Sequence, residues 1–190
     1  VESSGLDAAS DRLLAIAGVA LAVDWERKRL AVDLADSFEV VLRQEVPSQR
    51  ANILVHGIGA QRQRMGMAGD QALRAFAAWV GLSPLLAFHA PFDQTLIGRH
   101  VRAVPGLELA PPWVDLDHLC AVTHPEVRAR SLDDWMAHFG IRCAARHQAA
   151  ADALAEDDLL LRIWPRLAPE CACWRDVQKL AAHHRWVARG

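Results

Sequence analysis

The chain has 190 residues, of which 52% are hydrophobic and 23% are charged, and these proportions are typical of a folded globular domain. A chain of this length can bury a sizeable core, so a disordered chain and a small disulfide-built scaffold are both excluded. The formal net charge of −2 argues against a uniformly basic surface that coats nucleic acid. We expect one domain over residues 1–190.

The cysteines and the apolar runs indicate the compartment. Cys120, Cys143, Cys171 and Cys173 form no C-x-x-C pair, and their spacing matches no structural zinc motif. We therefore expect free thiols and a cytoplasmic location. The apolar run at residues 13–23 is too short to cross a membrane, so no membrane partner is expected.

The N-terminal third predicts an antiparallel hairpin. Residues 13–23 are rich in aliphatic side chains and predict a buried strand, and residues 30–43 predict a second strand or pair of strands. The polar turn at residues 24–29 is short, which favours antiparallel pairing. Residues 47–64, which contain the segment V-H-G-I-G, are predicted to be a loop.

The middle of the chain alternates helix and strand candidates. Residues 70–80 carry apolar side chains at helical spacing. Residues 85–90 predict a short apolar strand, and Pro91 suits the first turn of a helix that follows it. A further strand is predicted over residues 113–119.

The C-terminal third is predicted to be helical. Ser131 opens an S-L-D-D segment close to a capping box, so a helix is expected over residues 131–140. A long helix over residues 149–164 is expected to end at Pro165, and a last helix covers residues 174–187. These elements predict an α/β fold whose mixed sheet has an antiparallel hairpin followed by parallel strands, with helices on both faces.

Three acidic residues are candidates for one site. Asp93 follows a predicted strand near its carboxyl end, where ligands of open α/β sheets gather. Asp152 lies among alanines early in a predicted helix, and Glu2 lies at the N-terminus. Each residue alone also fits an ordinary role, because an Asp near a helix start caps it and a terminal Glu is usually solvated.

Six segments that contain these residues occur in one order along the chain. They are V-E-S-S-G-L-D, V-H-G-I, H-A-P-F-D, W-V-D-L, S-L-D-D-W and R-H-Q-A-A-A-D-A. This series resembles the DnaQ-like 3′–5′ exonucleases, a family that includes the proofreading subunit of bacterial replicative polymerase. The resemblance implies a ribonuclease-H-like fold and a set of acidic metal ligands. One such segment would be weak support, whereas six in order are specific.

The resemblance also assigns roles to individual residues. Glu2, Asp93 and Asp152 match acidic metal ligands, and His147, five residues before Asp152, matches the general base of the DEDDh subgroup. The alternative subgroup has a tyrosine near this position, and the chain contains no tyrosine. Asp115 in W-V-D-L matches a recurrent family residue that we interpret as mainly structural.

On the substrate side, the resemblance implies contacts near the N-terminus and at two histidine-containing segments. The expected substrate-binding residues are Ser3, Ser4, Gly5, Leu6, His56, His89 and Phe92. His89 stands where the family often has Asn, and Gly59 stands where Thr often follows I-H-G-I. These two departures bear on the sugar and phosphate contacts.

One expected ligand is absent from the sequence. Glu2 resembles the second acid of a D-x-E motif, so the first acid would lie immediately before Val1, at the end of a hydrophobic strand. In the family this strand is central, between the hairpin and the next parallel strand. Without it, we expect its place in the sheet to be empty, altered or filled by another chain, because central strands satisfy the backbone groups of both neighbours.

The implied activity is metal-dependent hydrolysis of phosphodiester bonds at single-stranded 3′ ends, with release of 5′-mononucleotides. Two Mg²⁺ or Mn²⁺ ions are the expected cofactors, because carboxylates suit hard cations and paired ions stabilise the attacking and leaving oxygens. DNA is the expected substrate, in proofreading or repair, and a DNA polymerase is a possible partner. Arg outnumbers Lys by 19 to 2, which is typical of a GC-rich bacterial genome.

Two alternatives are open at this point. The first is an exoribonuclease that trims RNA 3′ ends, because the family contains both DNases and RNases. The second is a catalytically decayed module that binds nucleic acid or another protein. A residue other than Asp before Val1 would favour the second alternative.

Overall fold

A computed structural model describes residues 1–186 of the chain. Its strands are β1 (Glu2–Ser3), β2 (Leu13–Asp24), β3 (Arg29–Val41), β4 (Leu85–Ala87) and β5 (Trp113–Asp115). Its α-helices are α1 (Arg50–His56), α2 (Ala60–Arg64), α3 (Gly69–Val80), α4 (Ala90–Arg102), α5 (Leu116–Thr123), α6 (Leu132–Phe139), α7 (Ala149–Leu167) and α8 (Trp174–Ala182). Short 3₁₀ turns follow α7 and α8.

Strand pairing confirms the predicted hairpin and the parallel pair. β2 and β3 pair antiparallel along most of their length, with an irregularity between Val19 and Ala20. β1 adds two residues to the other edge of β2, where Glu2 lies opposite Ala15. β4 and β5 pair in parallel. The fold is therefore α/β with mixed strand directions, as the sequence predicts.

Helices pack against the strands in two groups, each with its own hydrophobic core. One core joins α3 and α4 to the first residues of β2 and the last residues of β3. The other core joins α5, α6, α7 and α8 to the later half of β2. Burial of apolar side chains at these two interfaces is the main stabilising term for such a layered arrangement.

A cleft of about 450 Å³ separates the two sheets. β2 lines one side of the cleft, β4 lines the other, and α7 lies along it. Within the described residues, β1–β2–β3 and β4–β5 are separate hydrogen-bonded sheets. The place expected for a central strand is thus a cleft.

Residues 47–64, predicted as a loop, instead contain α1 and α2. The exposed apolar residues Leu54 and Val55 give this segment no amphipathic pattern. Buried polar groups hold it together, because Gln63 Oε1 accepts from Ser48 N at 2.8 Å and Gln63 Nε2 donates to Ile58 O at 2.8 Å. A search for apolar periodicity does not detect such a network.

The strand predicted over residues 113–119 is shorter than expected. β5 ends at Asp115, and α5 begins at Leu116. The Asp115 side chain accepts from Asp117 N at 3.0 Å and so caps the helix. The apolar composition that indicated a strand belongs partly to a buried helix. The strand predicted over residues 85–90 is likewise shorter, because β4 ends at Ala87 and α4 begins at Ala90.

The predictions for the C-terminal helices are partly correct. Ser131 and Asp134 form the capping box of α6. α7 continues through Pro165 to Leu167, which is a correction. Proline lacks one backbone donor, but the last turn of α7 stays helical because Leu167 is fully buried in the core. The last predicted helix ends at Ala182 and continues as a 3₁₀ turn over His183–Trp186, and residue 187 lies outside the described residues.

Two further expectations concern thiols and membranes. The four cysteines are free, as expected. Within residues 1–186, no helix combines the length and the apolar character that crossing a bilayer requires.

Candidate active site

Four carboxylates from three separate elements lie at the cleft: three line it, and Glu2 lies close enough for the charges of two of these to act on it. Glu2 lies on β1, Asp93 lies in the first turn of α4, and Asp152 and Glu156 lie one turn apart on α7. The charges of Asp93 and Asp152 act on both Glu2 and Glu156. We call these four residues the cleft carboxylates. Three of them, Glu2, Asp93 and Asp152, are predicted site residues.

The turn before α4 positions Asp93. His89 adopts a left-handed conformation with φ 57° and is the N-cap residue of α4. Pro91 in the first turn needs no backbone donor there and fixes φ for the helix. The Asp93 side chain is 15% exposed, and its Oδ1 accepts from the Val1 nitrogen at 3.2 Å. This contact brings the start of the chain to the site.

The segment before α7 surrounds Asp152. The Arg146 guanidinium donates to Asp152 Oδ1 and, through Nε at 2.6 Å, to Asp133 Oδ1. The backbone N–H of His147 donates to Asp152 Oδ2 at 3.2 Å, and His147 itself is exposed with φ 60°. The structure therefore places the predicted base His147 beside the predicted ligand Asp152.

Burial, with a smaller contribution from neighbouring carboxylates, raises the pKa values of Glu2 and Glu156. Burial raises the pKa of Glu2 to about 7, the Val1 ammonium opposes this, and the Asp152 carboxylate adds to it. Burial and, second, the Asp93 carboxylate raise the pKa of Glu156 to about 8. Both carboxylates are therefore partly removed from water and lie near other acids.

The donor set of the cleft suits a hard divalent cation. Carboxylate oxygens are the ligands that Mg²⁺ and Mn²⁺ prefer, and a cation relieves their repulsion. A protein cation now lies among them, since Arg146 pairs with Asp152. Over residues 1–186, no three His, Cys, Asp or Glu side chains stand close enough to hold an ion as they are arranged. The residues fit such an ion by chemistry and by charge.

Residues 3–6 form a turn that hydrogen bonds to residues 11 and 12. Ser4 Oγ donates to Asp11 Oδ1 at 2.8 Å and accepts from Arg12 N at 2.9 Å. A Cβ at Gly5 would lie 2.5 Å from an Asp11 oxygen, so any other residue there would displace the Asp11 carboxylate. Leu6 is 96% exposed. This turn presents an apolar side chain to solvent shortly after β1.

The three other predicted substrate residues differ in exposure. His89 is 57% exposed, with its ring 4.5 Å from that of Phe88, and Phe92 packs partly against the α3–α4 core. His56 is only 2% exposed. Its Nε2 lies 2.9 Å from Asn52 Oδ1, and Asn52 Nδ2 donates to Ser3 O at 3.2 Å. Because it is buried, His56 supports the 3–6 turn from inside the protein.

Two residues of the site were missed by the sequence analysis. Glu156 lies four residues after Asp152, and this spacing places both side chains on one helix face. That spacing was the available signal. Arg146 gave no signal, because its pairing with Asp133 and Asp152 joins residues on different elements.

Asp115 has the contacts of a structural residue. It is 8% exposed, and its Oδ1 accepts from the backbone nitrogens of His89 and Asp117 at 3.1 and 3.0 Å. It joins the end of β5 to the turn before α4. This agrees with the interpretation drawn from the W-V-D-L segment.

Known proteins resemble this chain in sequence over most of its length. It is 26% identical over 167 residues to a PolC-type DNA polymerase III of Oceanobacillus iheyensis, covering 88% of this chain and 11% of that protein. It is 28% identical over 169 residues to a DNA polymerase III subunit epsilon-like protein of Rhodobacter capsulatus, covering 87% and 23%. The chain thus spans between about a tenth and a quarter of these relatives.

Solved structures show the same fold at low identity. Exonuclease X in complex with 5′ overhanging duplex DNA aligns with a TM-score of 0.66 and 14% identity, over 95% of both chains. E. coli exonuclease I in complex with a dA16 oligonucleotide aligns with a TM-score of 0.62 and 17% identity, over 89% of this chain and 42% of that one.

The family model decides the assignment. The model of the RNase_T family, described as exonuclease, matches residues 1–159. That span contains β1, α4 and the first half of α7, and with them every cleft carboxylate. The chain therefore belongs to the RNase_T family of exonucleases and is DnaQ-like.

Proposed function

We propose that the protein is a metal-dependent 3′–5′ exonuclease of the DEDDh type that releases 5′-mononucleotides from single-stranded DNA ends. One observation carries this proposal. Glu2, Asp93 and Asp152 come from three elements, Asp93 and Asp152 line one cleft, and the charges of both act on Glu2. Exonuclease family membership supplies the reaction class, and the polymerase names of the relatives favour DNA.

Glu2, Asp93 and Asp152 are the residues that would hold Mg²⁺ or Mn²⁺. When bound, two divalent ions stabilise negative charge on the attacking and leaving oxygens of the phosphodiester. The protein contributes the carboxylates, and the elements that carry them differ in rigidity. Asp152 is fixed by α7, whereas Glu2 lies on a two-residue strand. We propose that ion binding orders β1 relative to α7.

His147 is the proposed general base. Its position on the segment before α7 leaves the ring exposed, while its backbone nitrogen is tied to Asp152. A ring nitrogen can therefore reach a water outside the carboxylate cluster and accept its proton as the water attacks phosphorus. The backbone of His147 has a positive φ of 60°, which marks a sharp turn directly before α7.

Substrate contacts are proposed at the mouth of the cleft. Leu6 and His89 are exposed, Leu6 follows β1, which carries Glu2, and His89 and Phe92 lie within four residues of Asp93. Apolar and aromatic side chains bind single strands by stacking on bases, without base readout. Ser3, Ser4 and Gly5 shape the turn that carries Leu6, and His56 supports that turn through Asn52. A polymerase partner is proposed from the names of the relatives alone.

We further propose that the cleft accepts one more β-strand, supplied by polypeptide that precedes Val1. The strands on either side, β2 and β4, face the cleft, and a strand between the sheets would join them into one mixed sheet. An Asp two residues before Glu2 would share its face of the strand. Intact-mass and N-terminal sequencing of the natural protein tests this. An aliphatic run ending in Asp is expected, and any other sequence there contradicts the proposal.

The activity is tested with single-stranded DNA labelled at its 5′ end. A 3′–5′ exonuclease shortens the labelled strand stepwise and releases unlabelled mononucleotides, only when Mg²⁺ or Mn²⁺ is present. Asp152→Ala should lower the rate by at least about 10³-fold, and His147→Ala should lower it by about 10²-fold or more. Full activity of Asp152→Ala, or activity in the presence of EDTA, would contradict the proposal.

Two controls make this assay specific. Asp158→Ala removes a surface carboxylate of α7 that pairs with Arg162, so it should leave the rate unchanged. RNA of the same sequence, labelled in the same way, should be degraded more slowly than DNA. Faster degradation of RNA would instead support an exoribonuclease.

A further inference from the structure

Glu156 makes a contact that the catalytic assignment does not use. It lies one helical turn beyond Asp152 on α7 and lines the cleft. Its Oε2 accepts a hydrogen bond from the backbone nitrogen of Phe88 at 3.1 Å. Phe88 is the residue directly after β4. A partly buried carboxylate thus ties α7 to the end of β4.

The segment that Glu156 holds leads directly to Asp93. Phe88 and His89 form the turn between β4 and α4, and His89 is held in a left-handed conformation. For a residue other than glycine this conformation costs about 1 kcal/mol or more. Such a turn persists only when its neighbours fix it, and the position of Asp93 depends on it.

Two carboxylates hold successive backbone donors of this turn. Glu156 accepts from Phe88 N, and Asp115 accepts from His89 N at 3.1 Å. The first acceptor comes from α7, which also carries Asp152, and the second comes from the end of β5. The Glu156 contact is therefore a direct link between the element that carries Asp152 and the turn that positions Asp93.

We propose that Glu156 is a positioning residue that sets the separation of Asp93 and Asp152 by holding the Phe88 N–H. This inference rests on the proposed function, in which those two carboxylates bind a divalent cation. It requires an oxygen acceptor at position 156, and it does not require a negative charge. Glu156→Gln retains such an acceptor, whereas Glu156→Leu does not.

The test combines Mn²⁺ binding, measured by titration calorimetry, with amide hydrogen exchange at Phe88. In Glu156→Leu the Mn²⁺ dissociation constant should rise at least about tenfold, and exchange at Phe88 should accelerate at least about tenfold, because its acceptor is lost. Glu156→Gln should stay within about threefold of the unmodified protein in both measurements. The exonuclease kcat should fall in Glu156→Leu with little change in KM, because the substrate contacts remain.

A matched control and a second variant keep the result interpretable. Asp158→Ala changes an acid of α7 that faces Arg162 at the surface, so neither measurement should change. If Glu156→Leu does not fold, Glu156→Thr replaces it, because its short side chain cannot reach Phe88 N and carries no apolar bulk. Thermal unfolding of each variant establishes that it is folded.

Three outcomes overturn the proposal. An equal loss of Mn²⁺ affinity in Glu156→Gln and Glu156→Leu would make the charge of Glu156 the required feature. Continued protection of the Phe88 amide from exchange in Glu156→Leu or Glu156→Thr would contradict the proposed contact, and full Mn²⁺ affinity in either variant would contradict its role in positioning. Failure of the proposed function is distinguishable, since the unmodified protein would then bind no Mn²⁺ while the Phe88 exchange still reports whether Glu156 holds the turn.

Discussion

Two groups of acids in this protein differ in their surroundings. Asp115 and Asp117, at the start of α5, accept hydrogen bonds from protein N–H groups. The backbone nitrogen of His89 donates to Asp115, and Trp135 Nε1 donates to Asp117 at 3.2 Å. His118 Nε2 also lies 3.7 Å from Asp115 Oδ2. We call these two acids the α5 carboxylates.

The cleft carboxylates instead face one another. Burial is the largest cause of raised pKa values in both groups, including Asp115. In the α5 group, one carboxylate, Asp117, adds to the raised pKa of Asp115, while His118 and the backbone nitrogens of Asp117 and His89 oppose it. In the cleft group, two carboxylates, Asp93 and Asp152, add to the raised pKa of Glu156, while the Phe88 backbone N–H opposes it. Backbone donors thus outnumber the repelling carboxylates around Asp115, whereas carboxylates outnumber backbone donors around Glu156, and this surplus of acids is the arrangement for which we propose a cation.

The most direct test of this comparison replaces one acid from each group with an uncharged residue. Asp152→Asn should reduce the exonuclease rate by about 10³-fold or more and change the free energy of unfolding by less than about 1 kcal/mol, because relief of repulsion offsets the weakened pair with Arg146. Asp115→Ala should lower the free energy of unfolding by about 1–3 kcal/mol, because the backbone nitrogens of His89 and Asp117 lose their acceptor. Rates on labelled DNA and urea unfolding measure both effects. The reverse pattern would show that the two groups have been assigned the wrong roles.

Asp157 belongs to neither group and shows what burial alone does to an acid. It is 8% exposed, and within residues 1–186 its Oδ2 has no hydrogen-bond partner. Burial raises its pKa to about 7, above the usual unfolded value of about 3.9. The folded state therefore binds this proton more tightly, and stability falls as the pH rises from about 4 to about 7.

Asp157→Asn should remove that fall, which amounts to at most about 4 kcal/mol at pH 7 and above. Urea unfolding of both proteins between pH 4 and pH 8 gives the difference in unfolding free energy at each pH. The unfolding free energy of Asp157→Asn, relative to that of the unmodified protein, should increase as the pH rises, and this increase should level off above pH 7. Parallel curves would mean that water or another group satisfies the Asp157 carboxylate.

Trp135→Phe tests the α5 group from the donor side. Trp135 is 1% exposed and Asp117 is 3% exposed, so removing the indole N–H removes a donor from a buried acid. The free energy of unfolding should fall by about 1–3 kcal/mol. The exonuclease rate should stay within about threefold, because the cleft is not touched. A large loss of activity with unchanged stability would place this group in the catalytic machinery.

The same contrast explains what the sequence could reveal. The hairpin and the α6 capping box follow from local patterns, since β2 and β3 are adjacent and Ser131 lies three residues from Asp134. Asp115 and Asp117 are neighbours in sequence, so a local capping pattern was present, although the apolar residues around it suggested a strand. The position of the α5 carboxylates at a helix start could therefore be predicted from the local sequence.

The grouping of the cleft carboxylates could not be predicted from local patterns. Glu2 and Asp152 lie at opposite ends of the matched region, and no periodicity connects them. The resemblance to a family predicted that these residues form one site, and it made this prediction only for positions within the family's motifs. Glu156 was missed for that reason, and α1 and α2 were missed because buried polar groups such as Gln63 hold them together.

Replacement of Arg146 has the smallest predicted effect, a change in Mn²⁺ affinity, and it tests whether Asp152 is arranged for an added cation. Its guanidinium pairs with both Asp133 and Asp152 and is 26% exposed. If Asp152 is arranged for an external cation, Arg146 competes with that cation. Arg146→Ala should then lower the Mn²⁺ dissociation constant by about fivefold, which corresponds to about 1 kcal/mol for a partly exposed pair. Arg162→Ala, which removes the partner of Asp158 on the same helix, should leave Mn²⁺ affinity unchanged in the same titration. Weaker binding in Arg146→Ala would mean that this cation organises Asp152, and Asp152 would then resemble the α5 carboxylates, whose partners are part of the fold.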